Sequence, residues 1–474
     1  MVKNSLYNVL YRCLNIFFPF ITSIYIARVL MAESIGKVAA AQNLVSYFTL
    51  LAAMGIPTYG IKIIAQFNVK SEQSSKAFTE LFTINFILSA VCSICYFLVI
   101  FTVPHYADNR LLYCVTGINI IFNVINVDWF YQGIQEYKYI AIRSLIIKTL
   151  SVIAIFVFVK SSHDFIIYAL ISSGALVGNY FFNIVRIRRY VHLVFKDLQF
   201  RDHIRHILIL SVASIAAEIY VLADTTMLDY MCGSTVVGYY NMSMRIIKIV
   251  RGVVIAVAAV FLPQFSALYY QSKIDAFHKL INKGLHIIGA LSIPIAVGIA
   301  LTAKDLILLL FGIEFNESIL TTKVLAISII SVAFSSFIGM QVLVTIGKEK
   351  ITTVSTIVGA FVNIILNYFL IQGLMHTGAA IASAITELTV TAIQLILARK
   401  YIPFQFKYRK ILFSVCAMTI AVLITKAFIS ILPVRLVVEI LLGAGTYMGI
   451  MIALKDDFAL DVINYLSRRG KKNV

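Results

Sequence analysis

Apolar residues in this chain do not alternate at the short periods that give amphipathic strands or surface helices. They run in blocks of roughly 20 to 28, separated by short polar stretches. At 1.5 Å per residue each block is long enough to cross a hydrocarbon layer about 30 Å thick. The pattern predicts fourteen transmembrane helices, near 5–29, 38–61, 77–103, 111–131, 139–159, 164–186, 206–228, 236–262, 283–303, 319–346, 351–373, 378–398, 411–431 and 434–454. The fold class expected is therefore an all-α polytopic membrane protein. The first block begins within a few residues of Met1, is longer than a signal-peptide core and lacks a small-residue cleavage site, so it is expected to stay as a signal anchor.

Composition agrees with this pattern. Hydrophobic residues make up 60% of the 474 positions and charged residues 13%, about half the charged share of a soluble domain. The net charge of +18 changes meaning once the Lys and Arg are placed. With the N-terminus cytoplasmic, about 27 of the 40 basic residues fall in cytoplasmic segments, about 8 outside and about 5 within helices. The cytoplasmic set includes Arg186, Arg188, Arg189, Arg201, Arg399, Lys400, Arg409, Arg468 and Lys471. The excess is thus a topology signal and no nucleic-acid surface. It predicts a multi-pass membrane protein with both termini cytoplasmic. Cys92 and Cys95 form a C-x-x-C inside the third span, read as small core residues; His203 and His206 lack a third ligand nearby, so no metal site is expected.

A weak internal repeat organises the helices. Ser34-Ile35-Gly36-Lys37-Val38 before the second span is echoed by Val236-Val237-Gly238-Tyr239-Tyr240 before the eighth, 202 residues on. Gln132-Gly133-Ile134 before the fifth span is echoed by Ile346-Gly347-Lys348 before the eleventh, and Arg188-Arg189 by Arg399-Lys400. Offsets of similar size predict an N-terminal six-helix lobe over 1–200, a second over 201–405, and two added helices with a basic tail over 406–474. Lobes of six spans share one orientation and flank a cavity, as in transporters built from parallel repeats.

Polar residues inside the spans are candidates for the cavity lining, because a charge at mid-membrane costs ~2.5–3.5 kcal/mol. Arg245, Lys248 and Arg251 recur at i, i+3, i+6 on the eighth helix, and Asn8, Arg12, Asn15 and Thr22 share a face of the first. A cationic site of Arg12, Arg245, Lys248 and Arg251 suits a phosphate-bearing anion. Alternatively, these cations snorkel to the interface or pair with acids. Asn119 and Asn123 are cavity-lining candidates on the fourth helix; interhelical hydrogen bonding explains them more simply. Glu218, Asp224, Asn363, Asn367 and Glu387 supply hard oxygens for Na⁺ or a carboxyl for H⁺, or else balance the cations of the eighth helix. No catalytic residue, resident cofactor or metal is expected. Gly347-Lys348 lacks the upstream glycine of a phosphate-binding loop, and no external loop is large enough to house a glycosyltransferase site.

Asp128-Trp129-Phe130-Tyr131-Gln132-Gly133, followed by Glu136, Lys138 and Arg143, resembles the signature after the fourth helix of bacterial polysaccharide flippases of the Wzx type. Pro19 with Tyr25-Ile26-Ala27-Arg28-Val29-Leu30 resembles the start of the same family. The resemblance rests most on Asp128, Trp129, Gln132 and Gly133. It implies the multidrug/oligosaccharidyl-lipid/polysaccharide exporter fold, two six-helix lobes in a V with alternating access. The implied substrate is an oligosaccharide repeat unit on a polyprenyl diphosphate, moved to the outer leaflet for O-antigen, capsule or exopolysaccharide assembly. Other polysaccharide assembly proteins are the implied partners, and the last two helices the implied groove for the lipid tail. Two other readings compete: a multidrug and toxin extrusion type exporter coupled to a cation, and a membrane-embedded polysaccharide polymerase or ligase.

Overall fold

A computed structural model describes residues 2–470, except for the side chains of 2–6, 8–10, 12, 13, 16, 209, 210, 212–214, 216, 217 and 464–470. Sixteen α-helices and no strand are found among the described residues. The first unit of the chain, Met1–Asn241, contains α1 (Val2–Ala53), α2 (Ile56–Ile64), α3 (Glu72–Thr102), α4 (Arg110–Phe122), α5 (Asp128–Gly133), α6 (Tyr137–Phe158), α7 (Phe165–Ile187) and α8 (Phe200–Cys232). The helix α9 (Ser234–Ala259) begins in it. The second unit, Met242–Val474, holds the rest of α9, then α10 (Leu262–Tyr270), α11 (Ile274–Leu310), α12 (Ser318–Ser335), α13 (Glu349–Ala398), α14 (Arg409–Phe428), α15 (Leu432–Ala453) and α16 (Asp457–Gly470).

Two of these helices are too long for one crossing: α1 has 52 residues and α13 has 50, about 75 Å of helix against a core of ~30 Å. Each folds back at one residue outside the helical region, Met31 at φ 62° and Met375 at φ 47°. They therefore supply two spans apiece. With α4, which is short, and α8, the fourteen predicted spans each find a helix. The second span ends earlier than its apolar run: Met54 and Gly55 have positive φ, and Pro57 starts the separate helix α2. After α12 the winding widens into a π-helix over Ser336–Leu343.

The packing inverts that of a soluble protein. Large apolar side chains such as Leu98, Leu150, Phe361 and Leu441 are more than half exposed on helix flanks, as a lipid-facing surface requires. Polar residues including Asn183, Asn363, Asn367 and Gln394 are fully buried. At Gly36 and Gly238 the backbones of α1 and α9 nearly touch: a Cβ on Gly36 would lie 1.6 Å from the Ser234 carbonyl oxygen, and one on Gly238 2.0 Å from that of Ala32. Small residues at such crossings let membrane helices approach without side chains between them.

The signature segment forms α5, a short helix buried against α2, α3 and α7. Trp129 stacks on Phe78 at 5.7 Å and covers Gly60, where a Cβ would sit 2.4 Å from the indole. Arg143 of α6 ties the segment to α7. Its Nε donates to Asn179 Oδ1 at 3.0 Å, its Nη1 to Asn183 Oδ1, and its Nη2 to Asp128 Oδ1 at 3.0 Å. Asn183 Nδ2 also donates to Asp128, while Tyr131 donates to the Asn183 carbonyl at 2.8 Å. Gln132 is half-buried and Gly133 is packed on Ile64. Asp128, Trp129 and Gly133 are thus knotted into the fold of the first unit.

In the second unit α14 and α15 pack as a pair on α11. Tyr447 donates to the Ala290 carbonyl at 2.7 Å, His286 meets Asp456 at 2.8 Å, and Arg435 makes a two-pronged contact with Asp305 at 2.9 and 2.5 Å. Cys92 is half-buried and Cys95 exposed, both as free thiols. The expectation of two core cysteines is corrected for Cys95: it lies on an outer helix face, where a thiol behaves as a small apolar group.

Candidate functional site

Each unit contains a cavity, and the two differ in chemistry. The first unit's cavity, about 540 Å³, is walled by α1, α4, α7 and α8. Amides and hydroxyls are prominent in its lining, among them Gln42, Ser46, Asn119, Asn126, Ser172 and Tyr180, beside apolar Val45, Leu50 and Leu222, and Glu218 is the only charged wall residue among the described residues. The asparagines of α4 divide in role. Asn123 Nδ2 donates to Asn85 Oδ1 and Ser89 Oγ at 3.3 and 3.2 Å, and its Oδ1 accepts from Asn126 at 3.3 Å. It is the interhelical hydrogen-bonding residue that the simpler reading expected. Asn119 donates to Ser173 Oγ at 3.1 Å, but its buried Oδ1 has no donor among the described residues. A buried amide oxygen without a partner costs ~1–3 kcal/mol, a cost that a ligand hydroxyl would remove.

The second unit's cavity, about 490 Å³, is a groove along α9, α11, α14 and α15. Its walls are almost wholly aliphatic, including Ile246, Val250, Leu291, Ile295, Val422 and Ile440. Such a surface binds a hydrocarbon chain by matching it, with few polar groups to desolvate.

The predicted site residues are distributed as follows. Asn8 and the Arg12 side chain lie outside the described residues. Asn15 is exposed and accepts from Lys148 Nζ of α6 at 2.5 Å; Lys148 also donates to the Leu14 carbonyl at 3.3 Å. On α9, Arg245 is half-buried and Lys248 exposed. Arg251 is half-buried, lies 3.5 Å from Glu387 Oε1 and donates to Ser328 Oγ at 2.5 Å. A candidate substrate cation and a candidate coupling acid are therefore partners, as the charge-balancing alternative for Glu387 anticipates. Asp224 is buried and accepts from Tyr240 at 2.5 Å. Asn367 Nδ2 donates to Asn363 Oδ1 at 3.1 Å, both residues fully buried in α13. Glu218, in contrast, is exposed on the first cavity's wall.

Several interacting groups were not singled out from the sequence. Lys148 sits mid-span, and the position of its charge within an apolar run was the available signal. Glu80 with His203 at 2.7 Å, and His105 with Asp229 at 2.8 Å, join residues more than 120 apart, which one sequence does not pair. Among the described residues no three His, Cys, Asp or Glu side chains form a metal cluster.

The fold and its cavities define a multi-pass helical membrane protein with a hydrogen-bonding cavity in one unit and a largely apolar groove in the other. The sequence profile described as "Polysaccharide biosynthesis protein" matches residues 1–269, more than half of the chain, and the chain belongs to that family. A Shigella dysenteriae protein provisionally named an O-antigen transporter is 24% identical over 404 residues, 83% of this chain and 99% of the relative. The capsular polysaccharide biosynthesis protein CapF of Staphylococcus aureus is 23% identical over 405 residues, 82% of this chain and 96% of CapF. Among solved structures, the lipid II flippase MurJ in its inward closed conformation matches with a TM-score of 0.77 at 15% identity, covering 96% of this chain and 99% of that one. An inward-facing multidrug resistance MATE family transporter matches with a TM-score of 0.60 at 14% identity, covering 84% and 94%. At these identities the structural likeness is one of fold.

Proposed function

We infer that this protein is a flippase that carries a lipid-linked oligosaccharide across the membrane for surface polysaccharide assembly. The observation that carries the reading is the hydrogen-bonding cavity of the first unit, in which amides and hydroxyls accompany a single described charge, Glu218, with an acceptor left open on Asn119. Saccharides present many hydroxyls and no charge, and this wall of amides and hydroxyls matches them. The aliphatic groove against α14 and α15 suits a polyprenyl tail. The MATE match leaves part of the chain uncovered, whereas the match to the lipid flippase spans nearly all of it. That difference favours the flippase reading over a multidrug exporter.

The finer reading is as follows. The substrate is an oligosaccharide on a polyprenyl diphosphate, moved by alternating access from the cytoplasmic to the outer leaflet of the bacterial plasma membrane, with both termini cytoplasmic. Its diphosphate meets the cations named from the sequence, Arg12, Arg245, Lys248 and Arg251, and in the first unit Lys148 beside Asn15 offers a further positive charge. The chain works as six plus six helices with two more at the tail-binding side. Transport is coupled to Na⁺ or H⁺ through Asp224 or the exposed Glu218, and involves no chemical step on the sugar. Other polysaccharide assembly proteins supply and consume the cargo.

The test is reconstitution in proteoliposomes with defined fluorescent polyprenyl diphosphate oligosaccharides, with and without Na⁺ and pH gradients. Flipping that depends on the glycan, and that falls on Asn119→Leu while the protein remains folded, supports the reading. Equal flipping of the glycan-bearing substrate by wild type and Asn119→Leu would remove the glycan role of the cavity.

A further inference from the structure

The groove of the second unit contains one group that does not belong to a hydrocarbon site. Glu439, on α15, lines it with only 1% of its surface exposed. Both of its carboxyl oxygens are buried without a hydrogen-bond donor. The charged groups that face it are Asp305 from α11, Lys426 from α14 and Arg435 from its own helix; α9 and α16 contribute apolar side chains, Ile246, Val250 and Phe458. The two cations are engaged elsewhere. Arg435 gives Nε and Nη2 to the two oxygens of Asp305, and Lys426 donates to the Leu301 carbonyl.

An ionised carboxylate in this position would accept nothing while facing a second carboxylate, in a medium where an unpaired charge is costly. As an acid it has a partner. Two carboxyls meet favourably with a proton between them, and Asp305, whose oxygens already accept from the Arg435 fork, is the acceptor. We propose that Glu439 is a proton-binding site of the membrane groove, carried as the acid with its proton directed to Asp305. The groove is then neutral towards a hydrocarbon chain. The protein also acquires, inside the bilayer, a group whose charge changes when the proton leaves. The assignment does not depend on what the protein transports, and it adds a candidate for proton coupling distinct from Asp224 and Glu387.

Infrared spectroscopy of the full chain in lipid tests it. A carbonyl-stretch band of a protonated carboxyl is expected at neutral pH, diminished in Glu439→Gln and lost as the pH is raised. Superimposable wild-type and Glu439→Gln spectra in that region overturn the assignment. So does removal of the wild-type band by Na⁺ at constant pH, which would make the site a cation site. Should Glu439→Gln fail to fold, the wild type alone decides by labelling with a hydrophobic carbodiimide, which couples to protonated carboxyls within membranes. An adduct mapped to Glu439 that disappears at alkaline pH supports the site. Adducts elsewhere with none at Glu439 overturn it.

Discussion

Neutralising Arg251 and Glu387 one at a time and then together separates two roles that the sequence allowed for each. Their nitrogen and oxygen are 3.5 Å apart, with side chains 14% and 9% exposed. At an effective dielectric constant of about 20, two unit charges at that distance attract by about 5 kcal/mol. Much of this is offset by the desolvation of both groups, so the pair adds little net stability over an apolar substitute, while removal of either partner alone costs ~3–5 kcal/mol. We expect Arg251→Met and Glu387→Met each to lower unfolding stability in mixed micelles by that amount. The double variant should recover to within about 1 kcal/mol of wild type. Flipping by the double variant then reports on substrate. If Arg251 acts only through Glu387, transport returns with stability; if Arg251 also holds the diphosphate, transport stays lost in a stable protein. Two singles as stable as wild type would refute the pairing argument. Replacing Arg251 by alanine alone is therefore a poor probe of substrate binding, since lost function could follow from the charge stranded on Glu387.

Arg143→Lys should destabilise the protein by about 3 kcal/mol, close to the cost of Arg143→Ala, because one ammonium cannot replace a fork that reaches Asn179, Asn183 and Asp128 together; thermal loss of monodisperse protein in detergent checks this, and a lysine variant as stable as wild type would contradict it. Gly36→Ala places a methyl group against the Ser234 carbonyl and should cost ~1–3 kcal/mol by forcing α1 and α9 apart; the readout is the rise in cross-linking distance between cysteines introduced on the two helices. Lys148→Met should leave stability nearly unchanged and reduce the affinity for a polyprenyl diphosphate about tenfold, with no effect on a neutral polyprenol glycoside, measured by competition in reconstituted vesicles.

The helices were legible because length in a membrane is set by the bilayer, and an apolar run of sufficient length carries that information locally. The signature from Asp128 to Gly133 was legible as a pattern but not as a structure. Its function in folding depends on Gly60, Phe78 and Arg143, which come from three other helices. Span ends were less legible where the apolar run continued past the helix. Leu50 to Ile64 reads as one block, and only Met54-Gly55 ahead of Pro57 shows that the chain turns there. Charges near span ends misled in the opposite direction. Asp305 and Arg435 fall at or just past predicted boundaries and look like loop residues, yet α11 runs to Leu310 and carries Asp305 into contact with Arg435, 130 residues away.

Which in-span cations are available to a ligand follows from their pairing, a quantity that counting them along the sequence does not give. Arg143 is matched by Asp128, Arg251 by Glu387 and Arg435 by Asp305, and each of these pairs joins separate elements of a single unit. Insertion of such an arginine is compensated by its acid, so its presence needs no anionic ligand to explain it. Lys148 differs: it meets the neutral amide of Asn15 and a backbone carbonyl, which solvate an ammonium without neutralising it. Its charge remains available to a phosphate, beside Asn15 on the polar stripe of α1. Lys148 of α6 thus joins the proposed cations, while the pairing of Arg251 with Glu387 gives that arginine a structural partner alongside its proposed contact with substrate.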